Sequence, residues 1–133
     1  YEAGCTFLLD RYTTANMYHQ ATKLPKEEWD SFLSWLEDLE YEKMGLPRPD
    51  LVLYLDMPTE RAVELLRRRE AATHTKADIH ELDTGYLAAC RDSALQAAQL
   101  LGWKVIPCVN AQGEVRSVEE IHEEIWSLAA PVL

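Results

Sequence analysis

The sequence is poor in several features that would assign it to a class at once. Its three cysteines, Cys5, Cys90 and Cys108, are odd in number and form no Cys-x-x-Cys pair, which argues against a zinc site or redox couple and favours buried thiols. The longest apolar runs, such as 51–55, fall far short of the roughly 20 residues needed to cross a bilayer. No charged and then apolar leader precedes them, so we expect a cytoplasmic protein.

Positive charge is scarce overall but locally concentrated. Lysine and arginine number 13 against 23 aspartates and glutamates, for a formal net charge of −10. This charge repels a nucleic-acid backbone or an anionic membrane, so we expect neither as a partner. A small anionic substrate fits if it meets the basic stretch of Arg67, Arg68, Arg69 and Lys76. Metal-ligand spacing is absent from His74, His80 and His122, and we expect no metal site built from them.

Short apolar runs alternate with amphipathic stretches along the chain. The runs at 5–9 and 51–55 are each closed by an aspartate and are typical of parallel strands buried on both faces. A weaker third run lies at 105–109, where Pro107 favours the end of a strand or an edge. The sequence therefore predicts an α/β fold with a parallel sheet, in three layers and one domain spanning 1–133.

Four stretches have an apolar period of about 3.6 and predict helices. Their apolar positions fall within 29–39, 62–66, 86–101 and 121–128. We expect the first to stop near Gly45, because glycine suits a left-handed cap. The last begins at Ser117, whose hydroxyl has capping-box spacing to the Glu120 carboxylate.

Asp10 and Arg11 directly follow the first predicted strand. Ligands of open parallel sheets gather outside the carboxyl ends of the strands. An aspartate can orient a metal-bound water or accept a proton, and the planar guanidinium of arginine matches phosphate oxygens in a bidentate way. The alternative is that this pair caps the next helix.

The longer string 10–20, Asp-Arg-Tyr-Thr-Thr-Ala-Asn-Met-Tyr-His-Gln, resembles the segment of thymidylate kinases that starts with Asp-Arg-Tyr or Asp-Arg-His. The string 49–58, Pro-Asp-Leu-Val-Leu-Tyr-Leu-Asp-Met-Pro, resembles the fourth strand of that family. The resemblance runs in the same order over nearly the whole chain. It implies a three-layer, parallel-sheet nucleotide kinase fold of the P-loop superfamily, incomplete in this chain. It also implies a homodimer that transfers a phosphoryl group from ATP, bound with Mg²⁺, to dTMP and yields dTDP.

The resemblance assigns roles to particular residues. The implied substrate-binding set is Arg11, Tyr12, Asn16, His19 and Gln20. Arg11 would bind the phosphate of dTMP, and Asp10 would position that phosphate or the water network of the metal. Asn16 and Gln20 would contact thymine. His19 stands where many members place an aromatic residue against the sugar, and this departure leaves the sugar selectivity open.

The basic stretch falls where the family has a lid that closes over ATP. Phosphoryl transfer depends mainly on positioning and on neutralising charge at the transferred group. Arg67 and Arg69 are the first candidates for this catalytic role, followed by Arg68 and Lys76. The alternative is a solvated basic helix end that interacts with the helix dipole. By the same resemblance, the loop at 110–115 lies where the family contacts adenine.

The phosphate-binding motif Gly-x-x-x-x-Gly-Lys-Ser/Thr does not occur, because none of the five glycines is followed directly by lysine. By resemblance the chain starts at the third strand of the family, so we expect these residues alone not to phosphorylate dTMP. We expect self-association to cover the open edge of that strand. Two alternatives remain open. The chain could belong to another nucleoside or nucleotide kinase of the superfamily, or be a non-catalytic fragment that acts through dimer contacts of the helix at 26–44.

Overall fold

The computed structural model of the protein describes residues 3–73 and 83–133. Within them, the helices are α1 Thr13–Ala21, α2 Trp29–Glu37, α3 Thr59–Thr73, α4 Thr84–Leu101 and α5 Val118–Ala129, and the strands are β1 Leu53–Asp56 and β2 Lys104–Pro107. Short 3₁₀ turns lie at Lys26–Glu28 and Ala130–Val132. A π-helical turn, Asp38–Lys43, continues α2. In this part of the chain no helix is both long and apolar enough to span a membrane.

The two strands pair in parallel, with Leu53 opposite Lys104 and Asp56 opposite Pro107. Main-chain bonds extend the pairing at both ends, from Lys104 N to Val52 O and from Cys108 N to Asp56 O, each at 2.9 Å. Pro107 is the last residue of β2, as the sequence predicted. The described residues thus form a mixed helix and sheet structure with a small, two-stranded parallel sheet.

The strand predicted at 5–9 is wrong. The segment is irregular, and Phe7, Leu8 and Leu9 are 62%, 97% and 56% exposed. An apolar run becomes a buried parallel strand only when a neighbouring strand satisfies its main-chain groups and other layers cover its side chains. Within residues 3–73 and 83–133, β1 and β2 pair with each other and no strand pairs with 5–9. Cys5 is also exposed, against the expected buried thiol, whereas Cys90 and Cys108 are buried.

The apolar core lies between α1, α2 and α4. Met17 of α1 and Leu33 of α2 are 1% and 0% exposed and share one cluster with Tyr41 and Ala97. The α4 face toward this core is made of small side chains, and Ala97 is completely buried. Small residues let helices approach closely, so α1 packs directly along α4.

Helix ends follow the sequence closely. The first predicted helix stops before Gly45, which has φ of +66°. Ser117 and Glu120 form the predicted capping box, with bonds of 2.9 and 3.1 Å between each side chain and the other residue's main-chain N–H. These local signals were readable because capping chemistry depends on neighbours three residues away and not on tertiary contacts.

Candidate functional site

Asp10 and Arg11 lie at the bend before α1, and both side chains are exposed. Arg11 has φ of +68°, a left-handed conformation that costs a bulky residue roughly 1–2 kcal/mol. The N-cap residue of α1 is Tyr12, which makes no side-chain capping bond and donates its hydroxyl to the Pro47 carbonyl at 3.1 Å. Since the capping position belongs to Tyr12, the alternative in which the Asp-Arg pair caps this helix loses its support.

The predicted position of this pair at the carboxyl end of a strand is also wrong. The pair follows the exposed, irregular segment 5–9, and among residues 3–73 and 83–133 no strand lies beside that segment to complete a parallel ladder. The bend itself, and not a strand terminus, holds the Arg11 guanidinium at the start of α1.

Arg11 and Asp10 act electrostatically on the later turns of α1. Burial raises the pKa of the Tyr18 phenol, and the Arg11 charge opposes this rise while Asp10 adds to it. Burial lowers the pKa of the His19 imidazole, and the Arg11 charge lowers it further. The Arg11 charge therefore acts on both rings, and the Asp10 charge acts on the Tyr18 phenol.

His19 packs against α4. Its Nδ1 is 3.0 Å from the Tyr86 hydroxyl and 3.6 Å from the Cys90 thiol. Its ring stacks on that of Tyr86, with centroids 6.2 Å apart, and meets the Tyr18 ring at 4.4 Å. Burial raises the pKa of the Cys90 thiol, which keeps it protonated and a weak nucleophile. The cluster of Tyr18, His19, Tyr86 and Cys90 is therefore suited to forming an aromatic surface and not to nucleophilic catalysis.

Asn16 and Gln20 lie one turn apart on α1, and both are exposed. The Asn16 amide nitrogen donates to Oε1 of Glu40 at 3.2 Å. The side-chain oxygen Oε1 of Gln20 accepts a hydrogen bond from the Lys23 ammonium at 2.8 Å. Both predicted base-contacting residues thus already have a protein partner, but each amide keeps further hydrogen-bonding groups.

An ion pair at the carboxyl end of β1 was not assigned from the sequence. Asp56 accepts a bidentate pair of bonds from Arg91 of α4, with Nε–Oδ1 at 2.6 Å and Nη2–Oδ2 at 2.9 Å. Burial raises the pKa of the neighbouring Tyr54 to about 12, and the Tyr54 ring lies 6.4 Å from that of Tyr18. The one available signal was an aspartate closing a predicted strand. Its partner is 35 residues further on and could not be read from spacing.

The predicted lid arginines lie on α3. Arg67, Arg68 and Arg69 are exposed. Glu64 accepts hydrogen bonds from Arg61 at 2.9 Å and from Arg68 at 2.6 Å. The bond from Arg61, and after it the charge of Arg68, lower the pKa of the Glu64 carboxyl. Lys76, His74 and His80 lie outside the described residues. Solvent screens such exposed pairs, so they fix α3 only weakly.

A cavity of about 300 Å³ lies between α3 and the loop that follows β2. Its lining residues are Arg61, Glu64, Leu65, Arg68, Glu114 and Val115. Arg61 Nε donates to the Gly113 carbonyl at 3.0 Å and so joins the helix to the loop at 110–115. A second cavity of about 230 Å³ lies at the amino ends of the strands, where Val52 and Lys104 line it. Neither cavity is lined by Asp10 or Arg11.

Comparison with known proteins relates part of the chain to one enzyme. A stretch of 62 residues, 47% of the chain, is 32% identical to the thymidylate kinase of Mycobacterium tuberculosis strain CDC 1551. The thymidylate kinase of M. tuberculosis strain ATCC 25618 matches with the same identity and coverage. The matched stretch spans 29% of the length of each of these relatives. No family model and no solved structure matches the chain. About half of this chain is thus similar to part of a thymidylate kinase.

Proposed function

We propose that the chain is the nucleoside-monophosphate-binding part of a thymidylate kinase, which transfers a phosphoryl group from ATP to dTMP and yields dTDP. The partial similarity to thymidylate kinase supports this proposal. The finer assignment depends on the segment from Asp10 to Gln20, which resembles the Asp-Arg-Tyr segment of thymidylate kinases.

The observation that carries the proposal is the left-handed backbone of Arg11. Backbone strain of this kind persists where the surrounding structure holds a residue in place, and it concentrates at ligand sites. The strain presents an exposed guanidinium beside Asp10, within electrostatic reach of the Tyr18 and His19 rings. A guanidinium held in this way matches two oxygens of a phosphate.

The other residues take supporting roles in this proposal. Asn16 and Gln20 contact the thymine edge, and His19 borders the sugar from its position on α1, where it packs against α4. Tyr12 anchors the start of α1 through its bond to Pro47. Arg67 and Arg69, then Arg68 and Lys76, neutralise charge on the transferred phosphoryl group from the lid.

Mg²⁺ enters this proposal together with ATP. Among the described residues no group of three or more His, Cys, Asp and Glu side chains could hold a metal ion. Mg²⁺ usually keeps several waters and binds through one or two carboxylates and the substrate phosphates, so the lone Asp10 carboxylate fits that donor set. Bound Mg²⁺ would supply charge neutralisation at the phosphates. Asp10 would orient its water, and Arg11 would hold the acceptor phosphate.

Calorimetric titration of the chain with dTMP tests the proposal. We expect saturable binding that Arg11→Ala weakens on the order of 100-fold, because a bidentate charged contact is lost. Lys43→Ala is the matched control, since it also removes an exposed cation that pairs with a carboxylate, that of Asp38. We expect no turnover with ATP, because the Gly-x-x-x-x-Gly-Lys motif is absent from these 133 residues. A folded sample that does not bind dTMP would overturn the proposal and favour a non-catalytic interaction protein.

A further inference from the structure

Glu40 is a buried acidic residue that the proposed function leaves unexplained. It is 5% exposed, and its Oε1 accepts from the Asn16 amide nitrogen at 3.2 Å. Its Oε2 is buried with no hydrogen-bond partner among the described residues. A buried carboxylate oxygen without a partner is costly, so a residue kept in this state calls for an explanation.

The π-helical turn Asp38–Lys43 directs two successive side chains at α1. Glu40 and Tyr41 are 5% and 8% exposed, although neighbours on a regular α-helix point about 100° apart. The Tyr41 hydroxyl lies 2.7 Å from Thr13 Oγ1, one helical turn before Asn16. Two hydrogen bonds therefore join the first half of α1 to this turn. Of their two partners on α1, Asn16 is the exposed one.

The carboxylate fixes which end of the Asn16 amide faces it. A carboxylate oxygen only accepts hydrogen bonds, so the amide must turn its NH₂ group toward Glu40. The Asn16 carbonyl oxygen is then left to accept a hydrogen bond from outside. A free asparagine could present either end, and Glu40 removes that choice.

We propose that Glu40 is a positioning residue that orients Asn16 so that its carbonyl oxygen reads the N3–H donor of a thymine or uracil base. This inference rests on the proposed function. Cytosine carries an unprotonated N3, an acceptor that would face the carbonyl oxygen with no hydrogen between them. An unmatched polar contact of this kind weakens binding roughly tenfold or more.

Deoxyuridine and deoxycytidine monophosphates give the sharpest test. They share phosphate and sugar, lack the methyl group of thymine, and differ at N3 and at the substituent on C4. We expect the wild-type chain to bind dUMP at least roughly tenfold more tightly than dCMP in calorimetric titrations. Glu40→Gln keeps the shape but lets both amides turn over, so this ratio should fall toward one while binding of the shared phosphate persists.

A double-mutant cycle separates positioning from a general structural effect. Asn16→Ala should lower the same ratio, and Glu40→Gln should change it no further in that background. Glu42→Gln, an exposed residue of the same turn that pairs with Arg48, should leave the ratio unchanged. The ratio is insensitive to the folded fraction of a variant, because both nucleotides meet the same sample.

The outcomes are distinguishable. If dTMP binds and depends on Arg11, but Glu40→Gln keeps the wild-type ratio, the role of Glu40 is overturned and the proposed function stands. An equal effect of Glu40→Gln with and without Asn16 would also overturn it. If a folded chain binds none of the three nucleotides, the proposed function falls and this inference falls with it.

Discussion

The two regions that carry the predicted phosphate-binding arginines are built very differently. Arg11 precedes α1, which packs into the core through Met17 and is tied to its neighbours by bonds from Thr13 and Asn16. The predicted lid arginines lie on α3, where no residue from 59 to 72 is buried and the ion pairs of Glu64 are exposed.

This difference indicates a division between a fixed and an adjustable part. A group that must meet one substrate in one geometry gains from a rigid support, because the cost of ordering it has been met during folding. A group that closes over a ligand belongs on an element with few buried contacts, since such elements open at low free-energy cost. The proposed monophosphate site and lid follow this pattern.

Truncation of one apolar residue in each region gives the largest expected contrast. Met17→Ala should lower the free energy of unfolding by about 3 kcal/mol, because it leaves a cavity in the core. Leu65→Ala on α3 should cost about 1 kcal/mol or less, since Leu65 is 40% exposed. Urea unfolding of both variants checks this. Equal losses would show that the two regions are equally well packed.

Removal of one carboxylate charge from each region should give a smaller contrast. Asp56→Asn breaks the bidentate ion pair with Arg91 and should lower the free energy of unfolding by about 2 kcal/mol. The Asp56 and Arg91 side chains of this pair are 15% and 33% exposed. Glu64→Gln on α3 should lower stability less than Asp56→Asn does, because the ion pairs of Glu64 are exposed. Thermal unfolding at low and high salt measures both. A Glu64 variant as destabilised as the Asp56 variant would refute the ranking.

Relief of backbone strain should raise stability while weakening binding. Glycine adopts positive φ without the Cβ clash, so Arg11→Gly should increase the free energy of unfolding by about 1 kcal/mol and weaken dTMP binding as much as Arg11→Ala does. Arg11→Ala keeps the strain and serves as the control, with stability close to that of the wild type. If glycine and alanine at this position give the same stability, the bend stores no strain.

The smallest expected effect is a pH dependence from His19. Burial and the Arg11 charge hold the folded pKa of His19 below its ordinary value of 6.5, so the unfolded chain takes up the proton first as pH falls. Stability should therefore be lost below about pH 6.5, until the folded imidazole also titrates. The loss between about pH 7.5 and about pH 5.5 should be smaller in His19→Gln. NMR titration that finds His19 at or above its ordinary pKa would contradict the sign.

The sequence predicted the parts of the fold that depend on local chemistry. The helix stop near Gly45, the Ser117 capping box and the two paired strands all follow from spacing and residue type. The strand at 5–9 failed because strand formation depends on a partner that composition does not reveal.

The candidate site stays a prediction from the family resemblance, which singled out Arg11, Asn16 and His19. The contacts of Asn16 and His19 come from elsewhere in the chain. Glu40 and Arg91 are ordinary charged residues in the sequence, and the tertiary contacts give them their significance. No feature of the sequence predicted the positive φ of Arg11, because arginine is not a residue that favours this conformation.

The π-helical turn at Asp38–Lys43 constrains the number of residues in this part of the chain as strictly as it constrains their identity. A π-turn contains one residue more than an α-turn. Deleting one residue there would restore ordinary winding and rotate each later side chain by about 100° around the axis, so that Tyr41 would swing away from Thr13. Point changes at the exposed positions of this turn should be well tolerated, whereas insertions and deletions should not, and natural length variation is expected to fall in other loops.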